Sequence, residues 1–238
     1  MDSQANLFAR RPATAARPLL GVTALIVEDS RYASEAVRML CQRSGARIRR
    51  APSLMHADRH LKVYRPCVVL IDLGLPDGSG LDLIRQLANT TPRVDVILGT
   101  SGDDHTEAAV MAAGADGFLP KPVSSLAAFQ TAILNHLPAD RQPPGPRLIS
   151  DETIQPDTIA FQDDLCNIAT SLRDTQATVN YDYITQFLGG VARSARDDVL
   201  RRAVDDLARS RAAGENTKHH MRKLAAVVED RIAEPCIR

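Results

Sequence analysis

The sequence has no tryptophan, few other aromatic residues and no excess of either charge. Aromatic residues make up 4% of its 238 residues, and 29 lysines and arginines are matched by 29 aspartates and glutamates. A net charge of zero gives no general attraction to nucleic acid or to an anionic membrane surface. The composition therefore predicts neither partner, and the length allows one large domain or two small ones with a real core.

Cysteine spacing and apolar runs exclude two further classes. The chain has four scattered cysteines and no C-x-x-C pair, which is typical of a reduced protein rather than a disulfide framework; they are Cys41, Cys67, Cys166 and Cys236. No apolar run approaches the roughly 20 residues of a membrane span. Residues 1–20 lack the apolar core of a secretion signal and predict a flexible tail. We therefore expect a cytoplasmic protein without a membrane partner.

The most informative segment begins at Arg65 and reads R-P-C-V-V-L-I-D-L-G-L-P-D-G-S-G. Its five apolar residues, from Cys67 to Ile71, are too few for a helix and rich in β-branched types, which predicts a strand buried on both faces. The strand ends on Asp72, and turn residues follow it. The loops at the carboxyl ends of the strands form the ligand crevice of an open α/β sheet, so Asp72 is a candidate site residue. A role as the cap of the next helix is the alternative.

Two other segments strengthen the candidate site. The first predicted strand is followed by the acid pair Glu28 and Asp29, and the segment G-A-D-G-F-L-P leads into K-P at Lys121. Together with D-x-x-L-P-x-x-x-G at Asp72, their order and separation resemble the receiver domain of two-component response regulators. The resemblance covers residues 22–137, about half of the chain.

The hydrophobic pattern agrees with this resemblance. Five short apolar strands alternate with five amphipathic helical stretches, which predicts a doubly wound, five-stranded parallel sheet, the flavodoxin-like fold of receivers. The predicted boundaries are 21–138 for the receiver, 139–156 for a proline-rich linker and 157–238 for an all-α C-terminal domain. A long helix in that last domain is expected to be interrupted or kinked at Gly189 and Gly190.

Phosphoryl transfer to a carboxylate requires a nucleophile, a divalent cation and a fixed positive charge. Three acids at neighbouring strand ends repel one another unless a cation lies between them, and oxygen ligands favour Mg²⁺. The resemblance implies that Asp72 is the phosphoacceptor and that Lys121 binds the phosphoryl group. It also implies a set of magnesium ligands, namely Asp29, Asp72, Glu28 through a water molecule and the backbone carbonyl of Gly74. A metal site without phosphorylation is the alternative.

The end of the fourth predicted strand departs from the family pattern. The family has Ser or Thr there, and counting back from Lys121 without a gap puts Gly99 at this position, whereas a one-residue deletion puts Thr100 there. Because glycine has no hydroxyl, Thr100 is favoured as the phosphoryl-binding residue that moves together with Phe118, the aromatic at the family's switch position. The family also implies a cis peptide bond before Pro122.

Gly74 is a second informative position. In the family, the side chain two residues after the phosphoacceptor helps to set how fast water removes the phosphoryl group. Gly74 has no side chain, so we expect hydrolysis to depend on metal and water access alone.

The resemblance implies a response regulator that takes its phosphoryl group from a histidine kinase or a histidine phosphotransfer protein. It is not predicted to be an enzyme, although it would assist its own phosphorylation and dephosphorylation. Phosphorylation is expected to change the face formed by the fourth helix, fifth strand and fifth helix of the receiver. That face would then dock the C-terminal helices or a partner.

The C-terminal part predicts a helical module for protein interaction or dimerisation. Residues 150–238 contain 15 acidic and 12 basic residues, and their apolar stripes suit a helical partner or a homodimer. The alternative is a DNA-binding transcriptional regulator, since residues 217–224 faintly resemble a recognition helix, but DNA affinity requires a basic surface. His220 and Lys223 match the H-x-x-K spacing of histidine phosphotransfer domains, yet Leu224 replaces the glycine that follows it there.

Overall fold

The computed structural model of the chain describes residues 12–146, 149–173 and 181–234. The tail predicted for residues 1–20 thus lies largely outside the described residues. The first half contains five main strands, β1 (Thr23–Val27), β2 (Arg47–Ala51), β3 (Val68–Asp72), β4 (Val96–Ser101) and β5 (Gly117–Pro120). Its helices are α1 (Arg31–Ser44), α2 (Leu54–Val63), α3 (Gly80–Ala88), α4 (Glu107–Ala112) and α5 (Leu126–Leu134).

The five strands form one parallel sheet in the order β2-β1-β3-β4-β5. Helices cover both faces, and each face has its own apolar core, with Ile26, Leu70 and Phe129 in one and Ile71 and Ile97 in the other. Every residue of the central strand β3 is buried, because helices pack against the sheet on both sides. The predicted doubly wound, five-stranded parallel sheet is confirmed.

Helix α1 has a capping residue at each end. The Ser30 side chain caps its start and accepts a hydrogen bond from the Ala33 amide at 2.9 Å. Gly45 ends the helix with a φ of 87°, a left-handed conformation that glycine adopts without a Cβ clash. The cap fixes the chain directly after the acid pair that follows β1.

The second half of the predicted linker is packed against the receiver. The Leu126 amide donates to the Glu152 carbonyl at 3.0 Å, and the Ile154 amide donates to the Ser124 carbonyl at 2.8 Å. Ile154 is buried in the core shared by α1 and α5. The second half of the segment 139–156 is therefore docked rather than free. Its prolines exclude a regular α-helix, but they do not make this half a free spacer.

The described residues of the C-terminal half form a bundle of four helices, which confirms the predicted all-α class. They are α6 (Thr158–Arg173), α7 (Tyr181–Ala195), α8 (Asp198–Ala212) and α9 (Lys218–Ala233). Leu165, Leu188, Leu207 and Leu224, one from each helix, are fully buried in a common core. Within the described ranges, no helix is long and apolar enough to cross a membrane.

The predicted break at Gly189 and Gly190 is wrong, because both residues lie inside α7. The chain turns at Arg196, which has a φ of 56°. Asp197 then caps α8 by accepting two first-turn amides at 3.0 and 2.9 Å. Gly189 is buried, and a Cβ there would lie 3.7 Å from Val204 of α8. A Cβ would therefore fit at Gly189, and the helix boundary is set by the cap at Asp197 rather than by the glycines.

The bundle packs on the receiver through α6, α7 and α1. Asp164 of α6 is 1% exposed and accepts hydrogen bonds from Ser30 Oγ at 2.7 Å, the Arg31 amide at 2.8 Å and the Tyr32 amide at 3.0 Å. The docking surface is thus the start of α1. The face of α4, β5 and α5 is the one predicted to dock the C-terminal helices or a partner on phosphorylation, and docking of the helices there would require the bundle to move.

Candidate functional site

Three carboxylates meet at the carboxyl edge of the sheet. Glu28 and Asp29 follow β1, Asp72 ends β3, and one oxygen of each lies within 4.8 Å of the others. Glu28 and Asp72 are buried, with 3% and 7% of their surface exposed. Adjacent parallel strands bring their carboxyl ends to one edge, which is why residues far apart in the chain converge here. The structure therefore brings together the three predicted acids.

Lys121 lies at the centre of this cluster. Its Nζ donates to Glu28 Oε2 at 2.7 Å and to Asp72 Oδ2 at 2.9 Å, and its side chain is 7% exposed. Burial disfavours the ammonium, but the negative charges of Asp72 and Glu28 outweigh burial and raise the pKa of Lys121. Lys121 is therefore charged at neutral pH. The predicted cis peptide bond between Lys121 and Pro122 is confirmed.

The electrostatics of the acids favour a bound cation. Burial and, to a smaller extent, the charge of Asp72 raise the pKa of Asp29 to about 6, against a hydrogen bond from Tyr183 that lowers it. Burial also raises the pKa of Glu28, against the attraction of Lys121. Three carboxylates beside one ammonium leave a net negative charge that a divalent ion can balance, and oxygen donors suit Mg²⁺. The residues present thus fit the predicted metal. Gly74 lines the same cavity, and its role as a carbonyl ligand stays a prediction.

Backbone contacts fix the acid pair in place. Arg50 of β2 donates to the Glu28 carbonyl at 3.2 Å and to the Asp29 carbonyl at 2.5 Å. The Ser30 amide donates to Glu28 Oε1 at 3.1 Å and to Asp29 Oδ1 at 2.9 Å. Arg50 was not among the predicted site residues, although its place near the end of the strand beside β1 is a usable signal.

The hydroxyl group that β4 brings to the acid cavity is that of Ser101, which corrects the choice of Thr100. Ser101 is buried and lines the acid cavity with Asp72 and Lys121. Thr100 lines a separate cavity beside α1 and the docked linker, where its Oγ1 is buried without a hydrogen-bond partner among the described residues. Successive side chains of a strand point to opposite faces, so the two hydroxyls diverge. The pattern of a hydroxyl residue followed by a small residue, Ser101 and Gly102, was the available signal.

Phe118 lies beside Gly99 rather than beside Thr100. Phe118 is the register partner of Gly99 on the neighbouring strand and packs in part against the core under α4. A Cβ at Gly99 would overlap Val110 of α4, so Gly99 faces the same side. Thr100 and Phe118 therefore lie on opposite faces of the sheet, and the switch role of Phe118 stays a prediction.

Helix α7 covers the acid cavity, which no local sequence pattern predicted. The cavity has a volume of about 220 Å³ and is lined on the α7 side by Gln186, Phe187, Gly190, Val191 and Arg193. Tyr183 Oη donates to Asp29 Oδ2 at 2.8 Å. A Cβ at Gly74 would overlap the Gln186 amide. The space left by the missing side chain at Gly74 is thus filled from α7, so access to the cavity depends on the bundle as well as on metal and water.

We predict that the metal-free protein loses stability between about pH 4 and pH 6. The folded protein holds a proton on Asp29 up to about pH 6, whereas the unfolded chain releases it near the ordinary value of 3.8. The free energy of unfolding should therefore fall as pH rises through this window, by roughly 2–3 kcal/mol. Urea titrations of the wild type and Asp29→Asn test this. If the free energy of unfolding depends on pH equally in both proteins, the prediction is contradicted. Added Mg²⁺ should restore the lost stability in the wild type but not in Asp29→Asn.

Comparison with known proteins agrees with this geometry. Residues 24–133 match the response regulator receiver domain family. The KDP operon transcriptional regulatory protein KdpE of Escherichia coli (strain K12) is 32% identical over 98 residues, which are 41% of this chain and 44% of that protein. The response regulator MprA of Mycobacterium sp. (strain KMS) is 32% identical over 141 residues, 58% of this chain and 61% of that protein.

A solved structure of a putative response regulator from Chloroflexus aurantiacus J-10-fl is also similar. It shares 27% identity and a TM-score of 0.45, and the match covers 48% of this chain and 98% of that one. The chain spans about half of the length of the curated relatives, 44% of KdpE and 61% of MprA.

Proposed function

We propose, from the premise that residues 24–133 are a response regulator receiver domain, that this protein accepts a phosphoryl group on Asp72. The donor would be a histidine kinase or a histidine phosphotransfer protein, and the output would be a change in how the C-terminal bundle docks. The proposal is supported above all by the contact of Lys121 Nζ with Asp72 Oδ2 at 2.9 Å. The carboxylates of Glu28 and Asp29 lie beside this contact. A nucleophile, a cation site and a fixed ammonium are thereby within reach of one phosphoryl group.

In the proposed reaction, an Asp72 carboxylate oxygen forms a bond to phosphorus as the bond from phosphorus to the donor histidine nitrogen breaks. The nitrogen keeps the electron pair and takes up a proton as imidazole. Glu28, Asp29 and Asp72 would hold Mg²⁺, whose chemistry here is to neutralise charge on the phosphoryl oxygens. Lys121 would contact the same oxygens. Ser101 is positioned to donate its hydroxyl hydrogen to one of them.

The helical bundle is proposed as a protein-interaction output in a cytoplasmic protein. Its mild acidic excess and the exposed apolar residues Ile159 and Val199 suit a helical partner or a second copy. The name of KdpE describes a transcriptional regulator, which favours the DNA-binding alternative. This support is weak, because most of KdpE lies outside the matched region. A salt-dependent DNA mobility shift distinguishes the two outputs. Binding at micromolar protein or below would favour the DNA-binding alternative.

We predict that incubation with a small acyl phosphate and Mg²⁺ adds one phosphoryl group per chain. Intact-mass spectrometry measures the addition, and peptide mapping should locate it on Asp72. A chelator should prevent labelling, because the acid cluster cannot accept a dianion without a cation. Labelling elsewhere, or metal binding without labelling, would overturn the proposal. The second result would support the metal-only alternative.

A further inference from the structure

Arg193 of α7 reaches the acid cavity from the side opposite the sheet. It lines the same 220 Å³ cavity as Asp72, Lys121 and Ser101. A Cβ at Gly102 would overlap the Arg193 guanidinium. The glycine after the hydroxyl residue therefore leaves space that a cation from another domain fills.

The guanidinium is not neutralised within the described part of the chain. Its Nε is buried without a hydrogen-bond partner there, and no ion pair of Arg193 is present among those residues. Asp103 also lines the cavity, but its Oδ1 accepts the His105 amide at 3.0 Å. A buried donor without an acceptor is costly, so the position favours an anion that can accept from it.

With a phosphoryl group bound, the negative charge in the cavity would exceed what Lys121 alone can balance. The single charge of Lys121 is already shared between Glu28 and Asp72. A phosphoryl group brings about −2 charge and three strong acceptor oxygens. A guanidinium matches such oxygens with two parallel donors. The cavity of about 220 Å³, lined by both Asp72 and Arg193, has the volume of roughly seven water molecules at about 30 Å³ each, which is room for a phosphoryl group.

We propose that Arg193 is a phosphoryl-binding residue supplied by the C-terminal bundle, so that a phosphoryl group on Asp72 holds α7 against the receiver. This inference rests on the proposed function. It makes the bundle part of the phosphoryl site and gives phosphorylation a direct contact with the output domain. The phosphorylated state would then be the state with α7 more firmly docked.

The test uses beryllium trifluoride with Mg²⁺ as a stable substitute for the phosphoryl group on the full chain. Arg193→Ala is expected to weaken its binding about 10- to 100-fold, the change expected for a hydrogen bond to a charged group. Arg193→Lys should show a smaller loss, because it keeps the charge without the paired donors. Arg209→Ala is the matched control, since Arg209 pairs with Asp206 on α8 and should bind like wild type.

A second variant tests the geometry without removing the arginine. Gly102→Ala should displace the guanidinium and weaken binding to a similar extent, and the double variant with Arg193→Ala should lose no more than either single change. Hydrogen exchange in α7 should slow on adding the fluoride complex to the wild type but not to Arg193→Ala. This readout also separates loss of a contact from loss of folding.

The outcomes separate the two proposals. No binding by the wild type would overturn the proposed function. Binding by the wild type with unchanged affinity in Arg193→Ala would overturn only the role of Arg193. Faster exchange in α7 of the wild type on binding would show release of the helix and would contradict the predicted direction.

Discussion

Asp72→Asn is expected to abolish phosphoryl transfer to the protein under conditions that label the wild type fully. An amide oxygen is a poor nucleophile, and the change also removes one of the three carboxylates that would hold the cation. The measurement is intact mass after reaction with a small acyl phosphate and Mg²⁺. Signal in the variant at the wild-type level would mean that the acceptor lies elsewhere.

Loss of folding is not expected to explain that result. Asparagine has nearly the volume of aspartate, and Lys121 keeps its contact with Glu28 at 2.7 Å. Removing one of three like charges also relieves repulsion in the metal-free protein. Thermal unfolding should therefore occur at or above the wild-type temperature. Asp82→Asn is the control, because Asp82 is exposed on α3, pairs with Arg85 at 2.7 Å and should be labelled like wild type.

Asp164→Ala is expected to have the largest effect on stability and on the docking of the bundle. Removing the carboxylate leaves three donors at the start of α1 without their acceptor. Such losses cost about 3 kcal/mol or more in total, which corresponds to a decrease in melting temperature of roughly 6–12 °C. Calorimetry measures the decrease, and small-angle scattering should report a larger radius if the bundle separates from the receiver.

The adjacent residue provides a matched control for Asp164. Asp163 forms an ion pair with Arg31 at 2.7 Å, and both side chains are about half exposed, 45% and 57%. Water screens such a pair, so Asp163→Ala should cost less than about 1 kcal/mol. Equal effects of the two substitutions would show that docking depends on the net charge of this surface rather than on the buried hydrogen bonds of Asp164.

The proposed phosphoryl site was predictable to the extent that its residues follow strand ends. Glu28, Asp29, Asp72 and Lys121 each lie at or directly after a short apolar run, and a parallel sheet brings such positions to one edge. Thr100 was chosen for its hydroxyl alone. The alternation of side chains along β4 decided between it and Ser101, and that alternation depends on where the strand ends.

The boundary between α7 and α8 shows a second limit of prediction from sequence. Glycine pairs often mark interruptions, so Gly189 and Gly190 were a reasonable choice for a kink. Both glycines lie inside α7, and the new helix is capped by Asp197, which also pairs with Arg231 of α9. Local propensity was overridden by packing within the bundle.

The amino-acid pattern alone is sufficient to predict the receiver fold, its acid cluster and the all-helical class of the second half. These features depend on local periodicity and on residues fixed to the ends of their own strands. Only the tertiary structure decided where the bundle docks, because Asp164 and Ser30, or Tyr183 and Asp29, are separated by 134 and 154 residues. Single contacts across such distances leave no period in the chain, so the cover that α7 forms over Asp72 emerges only when both domains are folded together.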